Sequence, residues 1–391
     1  MYTVKILRLN SGERLPALIN ELGIPVKVAN RFILNYRRHH VQSSTLGNNL
    51  RDIGIAYLWA DEVLGIDLDS FLLEGKVLNN RLITSLADYL RCRNLGSSPK
   101  FSSLSIFNNR LYTSKMFFVW SLDNNYRGGK SFFNFDELYT AESRISKAFN
   151  LHNIPGNHSI SHKPLLEEEI KLIQKAISPI LTNGKLIFPK NNFMPQTRLR
   201  NFLMFEFALN FGLRKGELLK VRLDCLPRGN NTELKVLRLP DDPSDTRRNE
   251  PNVKGAERFI NIPQYLLSFI RVYLTTQSEE GRPSNKNPYL FLSRDGDPLS
   301  ICSANDVIGR IGKISGVNDL CWHRLRHTWA ERTADLLSDQ NKNKEETSAD
   351  LLQYLGGWRN PQSAKTYIQN SIRRQANEAL INYQSNLYEE N

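Results

Sequence analysis

The sequence predicts a mainly α-helical protein with a small β-sheet or hairpin (α+β), divided into a helical N-terminal domain and a larger C-terminal one. Three observations lead there. The chain has 391 residues, more than one hydrophobic core ordinarily serves. Apolar residues recur at helical spacing, as in Leu82, Leu86 and Leu90. Strand-like runs are few: Val236–Leu239, and a second strand that closes before Pro263.

In chain order, residues 1–40 mix short apolar runs with a basic end, Arg37-Arg38-His39-His40, and read as an arm or appended unit without an assignable chemistry. Residues 41–150 read as a helical domain. Ser43-Ser44-Thr45 is placed to cap a helix carrying Leu46, Leu50, Ile53 and Tyr57. A second helix is expected from about Leu78 to Arg91 and a third from about Asn108 to Leu122, followed by a turn at residues 125–130. Residues 151–164, with Pro155-Gly156 among His152, His158 and His162, read as a linker rather than a metal site, because no acidic or cysteine ligand falls at suitable spacing. The second domain, 165–391, opens on an amphipathic helix. An apolar helix over 198–211 ends at Gly212, a residue suited to a helix C-terminus. Arg214 stands at the entrance of a short helix in which Glu217, three residues on, can brace it. Lys254, beside Gly255, is expected at a hairpin tip. Further helices are expected from about Ser303 to Ser315, from Trp322 through Leu337, and in a tail from about Ile372 to Tyr388. The polar run 338–348 reads as an exposed or mobile surface insertion.

The charge is the unusual part of the composition. A net charge of +12 at 24% charged residues concentrates polyanions, nucleic acid being the commonest. The four cysteines are scattered with no C-x-x-C pair, which argues against a disulfide framework or a zinc site and fits a reducing cytoplasm. No signal-peptide pattern and no membrane-length apolar run is found, so a soluble cytoplasmic protein is expected.

The chemistry concentrates in two stretches. Cys321–Ala330 puts His323, Arg326 and His327 at i, i+3 and i+4, on one helix face. Leu355–Ile368 opens on Gly356-Gly357-Trp358 and carries Tyr367. Donors gathered for an anion, followed by a tyrosine, suggest phosphate chemistry with a phenolic nucleophile.

Taken in order, Gly212-Leu-Arg214-x-x-Glu217, Lys254-Gly-x-x-Arg258, His323-x-x-Arg326-His327, Gly357-Trp358 and Tyr367 resemble the signature of the tyrosine recombinases, the phage-integrase-type site-specific recombinases. The resemblance covers residues 165–370, more faintly 43–122, where the family has its helical core-binding domain. It implies a catalytic domain in which Arg214 and Arg326 are the two catalytic arginines, Lys254 the hairpin lysine, His323 the box histidine, Trp358 the histidine-or-tryptophan, and Tyr367 the nucleophile. Glu217 and His327 fall on accessory positions. The activity implied is cleavage and rejoining of DNA strands through a 3′-phosphotyrosine, with no cofactor and no metal. Double-stranded DNA clamped between the domains, a homotetrameric synapse joined through the C-terminal tail, and accessory recombination proteins are the implied partners.

These residue types suit that chemistry. A phosphodiester repels nucleophiles by its own charge, and two forked guanidiniums can neutralise it and stabilise the pentavalent transition state. His323 and the Trp358 indole N–H add donors. A phenol with an ordinary pKa of about 10 needs an electropositive site to attack, and the leaving 5′ oxygen needs a proton, for which Lys254 is placed. Two other readings compete. A type IB topoisomerase or telomere resolvase would share most of these residues. A non-enzymatic sequence-specific DNA-binding protein would use the 323–327 helix to read a groove, and would leave Lys254 and Tyr367 unexplained.

Overall fold

A computed structural model describes residues 1–93, 100–127, 134–156, 163–182, 185–191, 193–229, 231–279, 287–340 and 345–389. The chain forms two compact units, Met1–Ile160 and Ser161–Asn391. It is mainly helical, and every sheet among the described residues has only two strands, as the sequence leads one to expect.

The first unit opens on an antiparallel hairpin of β1 (Thr3–Arg8) and β2 (Arg14–Ile19), followed by α1 (Lys27–Phe32), which runs on as a π-helical turn through Arg37. Residues 1–40 are therefore not an appended arm. Leu18, Val28, Ala29 and Phe32 are buried in the same cluster as Leu50, Tyr57 and Phe117. The Asn30 side chain ties α1 to β2, accepting from the Leu18 N–H and donating to its carbonyl, both at 2.8 Å. The basic tetrad is partly spoken for, because Arg38 forks onto Glu13 at 2.8 and 2.6 Å.

The helices of this unit are α2 (Ser43–Trp59), α3 (Leu68–Leu73), α4 (Asn80–Arg91), α5 (Leu104–Arg127) and α6 (Phe135–Leu151). Short strands β3 (Cys92–Arg93) and β4 (Lys100–Phe101) pair between α4 and α5. The cap of α2 is Gln42, with Ser43 already inside the helix and no side-chain cap bond. Two of these helices, α3 and α6, go unread in the sequence. The start of α6 is nonetheless written there: Asn134 accepts from the Glu137 N–H and Glu137 from the Asn134 N–H, both at 2.9 Å, a reciprocal cap. Of the turn expected at 125–130, residues 125–127 instead continue α5, and 128–130, with His158 and His162, lie outside the described residues.

The second unit begins with α7 (Glu167–Ile177) and the short pair β5 (Ile180–Thr182) and β6 (Lys185–Ile187). Helix α8 (Pro195–Phe211) has apolar residues nearly all round and is buried accordingly. It stops at Gly212, whose φ of 57° is left-handed. Next come α9 (Lys215–Leu219), β7 (Glu233–Val236) and β8 (Arg258–Asn261), which pair antiparallel from Glu233↔Asn261 to Val236↔Arg258. The first strand thus lies earlier than the expected Val236–Leu239. The segment between the strands, 237–257, is no tight hairpin. Part of its polar sequence is buried: Arg247 forks onto Asp245 at 2.9 and 2.6 Å and donates to the Leu299 carbonyl at 2.9 Å.

The remaining helices are α10 (Gln264–Glu279), α11 (Ile301–Ser315), α12 (Trp322–Gln340), α13 (Glu345–Gly356) and α14 (Pro361–Glu389). The run 338–348, expected to be exposed throughout, is helical where it is described, and Ser348 is buried with its hydroxyl donating to the Leu337 carbonyl at 3.1 Å. Residues 341–344 of it lie outside the described part. Two apolar clusters build the unit. One joins α7 to α11 and reaches Leu325. The other, made by Trp329, Ala334, Leu352, Ala364 and Ile368, binds α12, α13 and α14 together.

Candidate active site

Three helix ends meet in the second unit: the C-terminus of α8, the C-terminus of α13 and the first turns of α12. The Trp322 indole anchors α12 by donating to the Ala304 carbonyl of α11 at 3.0 Å, with Leu325 buried beneath it. This turns Arg326 inward, where it is 4% exposed. Its guanidinium donates to the carbonyl of Gly212 and, at 2.7 Å, to that of Gly356. Both carbonyls end helices, where the partial charge is negative, so the buried cation sits where helix ends favour it.

The same end of α13 receives two more arginines. Arg214 Nη1 lies 3.3 Å from both the Gly356 and Gly357 carbonyls, and Arg258 Nε donates to Leu355 at 2.7 Å. Glu217, 2% exposed, is the carboxylate among them: it accepts from Arg214 at 3.0 Å and from Arg258 at 2.9 and 3.3 Å. Burial alone would raise its carboxyl, but the charge and hydrogen bonds of Arg258, with Arg326 and Arg214 behind, hold it below the ordinary range. Three guanidiniums against one carboxylate leave positive charge over. Burial, and then repulsion from Arg214, lower Arg326 to about 9, the direction expected of a buried cation short of counter-charge. It stays charged at neutral pH.

An aromatic layer covers that charge. The Arg326 guanidinium lies 4.5 Å from the centre of the Trp358 ring and 5.9 Å from that of Trp329. Tyr367, on the second turn of α14, stacks obliquely on Trp358 with centroids 5.6 Å apart. Its hydroxyl lies 2.5 Å from His327 Nδ1, and His327 Nε2 lies 2.9 Å from His323 Nε2. Burial raises the phenol to about 12, outweighing the pull of Arg326 and Arg214 in the other direction. The electropositive surroundings expected to activate it are present, yet in the free protein desolvation wins.

A cleft of about 520 Å³ opens beside this cluster, lined in part by Arg214, Lys215, Asn305, Cys321, His323 and Arg326. It has room for a phosphodiester, with both arginines on its wall.

Of the expected site residues, Arg214, Glu217, His323, Arg326, His327, Trp358 and Tyr367 come together. Lys254 comes near only through the backbone of the two residues that follow it. Gly255 next to it packs so tightly that a Cβ there would sit 2.2 Å from Glu217 Oε1, and the Ala256 N–H donates to the Gly357 carbonyl at 3.2 Å. The Lys254 side chain is exposed and makes no hydrogen bond or ion pair among the described residues. The residue that sequence reasoning did not assign is Arg258. It stands in the quoted Lys254-Gly-x-x-Arg258 pattern, but its partner Glu217 is distant in the chain.

Residues 188–374 match the Phage integrase family. Tyrosine recombinase XerC of Staphylococcus epidermidis is 28% identical over 140 residues, 34% of this chain and 39% of its own length. The chain thus spans well under two thirds of that relative. Among solved structures, XerH site-specific recombinase bound to difH in a pre-cleavage complex superposes with a TM-score of 0.53 at 16% identity, over 90% of this chain and 84% of the other. A lambda integrase(75-356) dimer bound to a COC′ core site gives 0.50 at 15%, over 87% and 94%. At these identities the likeness is one of fold.

Proposed function

We propose that the chain, whose residues 188–374 match the Phage integrase family, is a site-specific recombinase that cleaves and rejoins duplex DNA through a 3′-phosphotyrosine at Tyr367. The observation that carries this reading is the convergence of a tyrosine hydroxyl, two histidines and a net-cationic arginine cluster beside a cleft with room for a phosphodiester.

In this reading the scissile phosphate enters the cleft and supplies the negative charge that Arg214 and Arg326 lack. Their forked donors hold the non-bridging oxygens and stabilise the charge that builds in the pentavalent transition state. Glu217 and Arg258 fix the Arg214 fork without contacting the phosphate. The Trp358 ring keeps Arg326 and Tyr367 on its surface, with its indole N–H as a further donor. Lys254, free to swing from its loop, protonates the leaving 5′ oxygen. The phosphotyrosine conserves the energy of the broken bond, so rejoining to another 5′ hydroxyl requires neither ATP nor metal.

The tail of α14 supports a further part of the reading. Beyond Gln375 the helix presents Leu380, Ile381 and Tyr383 to solvent, each more than half exposed. A second copy of the chain would cover this face in a homotetrameric synapse, with accessory proteins setting the direction of exchange. The cysteines, scattered in sequence with no C-x-x-C pair, fit a reducing, cytoplasmic setting for that work.

The test is a denaturing gel of protein incubated in chelator with nicked duplexes tiled across the DNA flanking its own gene. A slow-migrating adduct, lost in Tyr367→Phe while DNA binding persists, is the expected result. Tight binding to these duplexes with no adduct from wild type on any of them would overturn the reading in favour of a non-enzymatic DNA-binding protein.

A further inference from the structure

Two close contacts in the site have no part in the reaction as described above. A phenol that stays protonated at neutral pH donates its hydrogen bond, so the 2.5 Å contact makes His327 Nδ1 the acceptor. A neutral imidazole carries one proton, which in His327 must then lie on Nε2. That proton points at His323 Nε2, 2.9 Å away, and makes it an acceptor in turn. The three groups form a directed chain from the nucleophile to His323, an exposed residue on the wall of the cleft.

From this geometry we propose that His327 is the general base for Tyr367, taking the phenolic proton as the tyrosine attacks, with His323 stabilising the imidazolium that results. The role rests on the recombinase reading and deepens it. As the Tyr367 Oη–P bond forms, the O–H proton passes to His327 Nδ1. The P–O5′ bond breaks, and the leaving oxygen takes its proton from Lys254. In rejoining, the attacking 5′ hydroxyl returns its proton to Lys254, the Oη–P bond breaks, and His327 returns its proton to the phenolate.

The other candidates for the proton are excluded by position or by charge. Arg214 and Arg326 are cations with no lone pair to offer. Lys254 makes no contact with the hydroxyl. His323 reaches it only through His327. A base in contact is needed, because burial holds the phenol at about 12 and the two arginines do not offset it. A neutral imidazole has a lone pair with which to accept the proton.

Two measurements test the assignment. In the free protein with ¹⁵N-labelled histidine rings, long-range correlation spectra should show His327 protonated on Nε2; protonation on Nδ1 would overturn the proposal without reference to DNA. In the adduct assay, His327→Gln keeps an acceptor for the hydroxyl but cannot hold a proton. It should slow cleavage by about 10²–10⁴-fold with DNA affinity unchanged. It should stay slow on duplexes with a 5′-bridging phosphorothiolate, whose sulfur leaves without a proton, whereas Lys254→Ala should recover on them. Cleavage by His327→Gln at the wild-type rate, or its rescue by sulfur, would overturn the base assignment while leaving the recombinase reading intact. Failure of wild type to form any adduct would overturn that reading, and this role with it.

Discussion

Arg258 shows what a single side chain contributes here. Its side chain is fully buried against Glu217, and both are charged. Removing one partner of such a pair strands the other, at a cost of about 3–5 kcal/mol. Arg258→Ala should therefore lose stability on that scale in urea unfolding, and adduct formation with it, whereas Arg258→Lys should recover part of the stability but not the fork. Glu217 adds a pH dependence. Its folded carboxyl lies below the ordinary 4.5, so its stabilisation is complete above that value and is lost as pH falls through the lowered one. Glu217→Gln should accordingly flatten the acid limb of the stability–pH curve, and an unchanged limb would count against this balance of burial and charge. The types at 214 and 217 are legible because they lie one helical turn apart. Arg258 is not, because only the pairing of β7 with β8 and the end of α13 bring it to Glu217.

Among the elements, the junction after α8 is the most exacting. Gly212 has a left-handed φ, and a Cβ on it would lie 2.0 Å from Trp329 Cε3. Its carbonyl accepts from Arg326. Gly212→Ala should thus displace either the indole or the backbone that holds the arginine, lowering the melting temperature and abolishing adduct formation together. Helix α6, in the first unit, offers a contrasting case. Asn134→Ala removes one half of its reciprocal cap and should cost about 1 kcal/mol, read as faster hydrogen exchange in the first turn of α6 with no change in cleavage. Helices with a regular apolar stripe, such as α4 and the apolar α8, can be read from periodicity. The short α3 cannot, because six residues make less than two turns and its start depends on a cap at Asp67.

For the whole molecule, the net charge of +12 predicts DNA affinity that falls steeply with salt. The log–log slope should approach about −0.9 per phosphate neutralised on duplex DNA, and a flat response would remove nucleic acid from consideration. The tail makes a separate prediction. Ser371, Arg374 and Gln375 bond to Asp335, Glu331 and Asp339 of α12 within the same unit, so a truncation that spares the fold must fall after Gln375. Ending the chain at Ala376 should preserve DNA binding and abolish higher assembly in cross-linking or light scattering. Normal assembly of that variant would sink the tail's role. By itself the sequence determined the helical class and the basic charge and singled out most of the side chains that meet at the candidate site, because periodicity, composition and short spacing are local properties. Tertiary structure alone decided that Arg258 completes the arginine cluster, that residues 1–40 belong to the first core, that His327 touches the Tyr367 hydroxyl and that the Lys254 ammonium makes no bond to it. Each of those depends on contacts between residues far apart in the chain, or on burial outweighing charge, and neither can be read from neighbours in sequence.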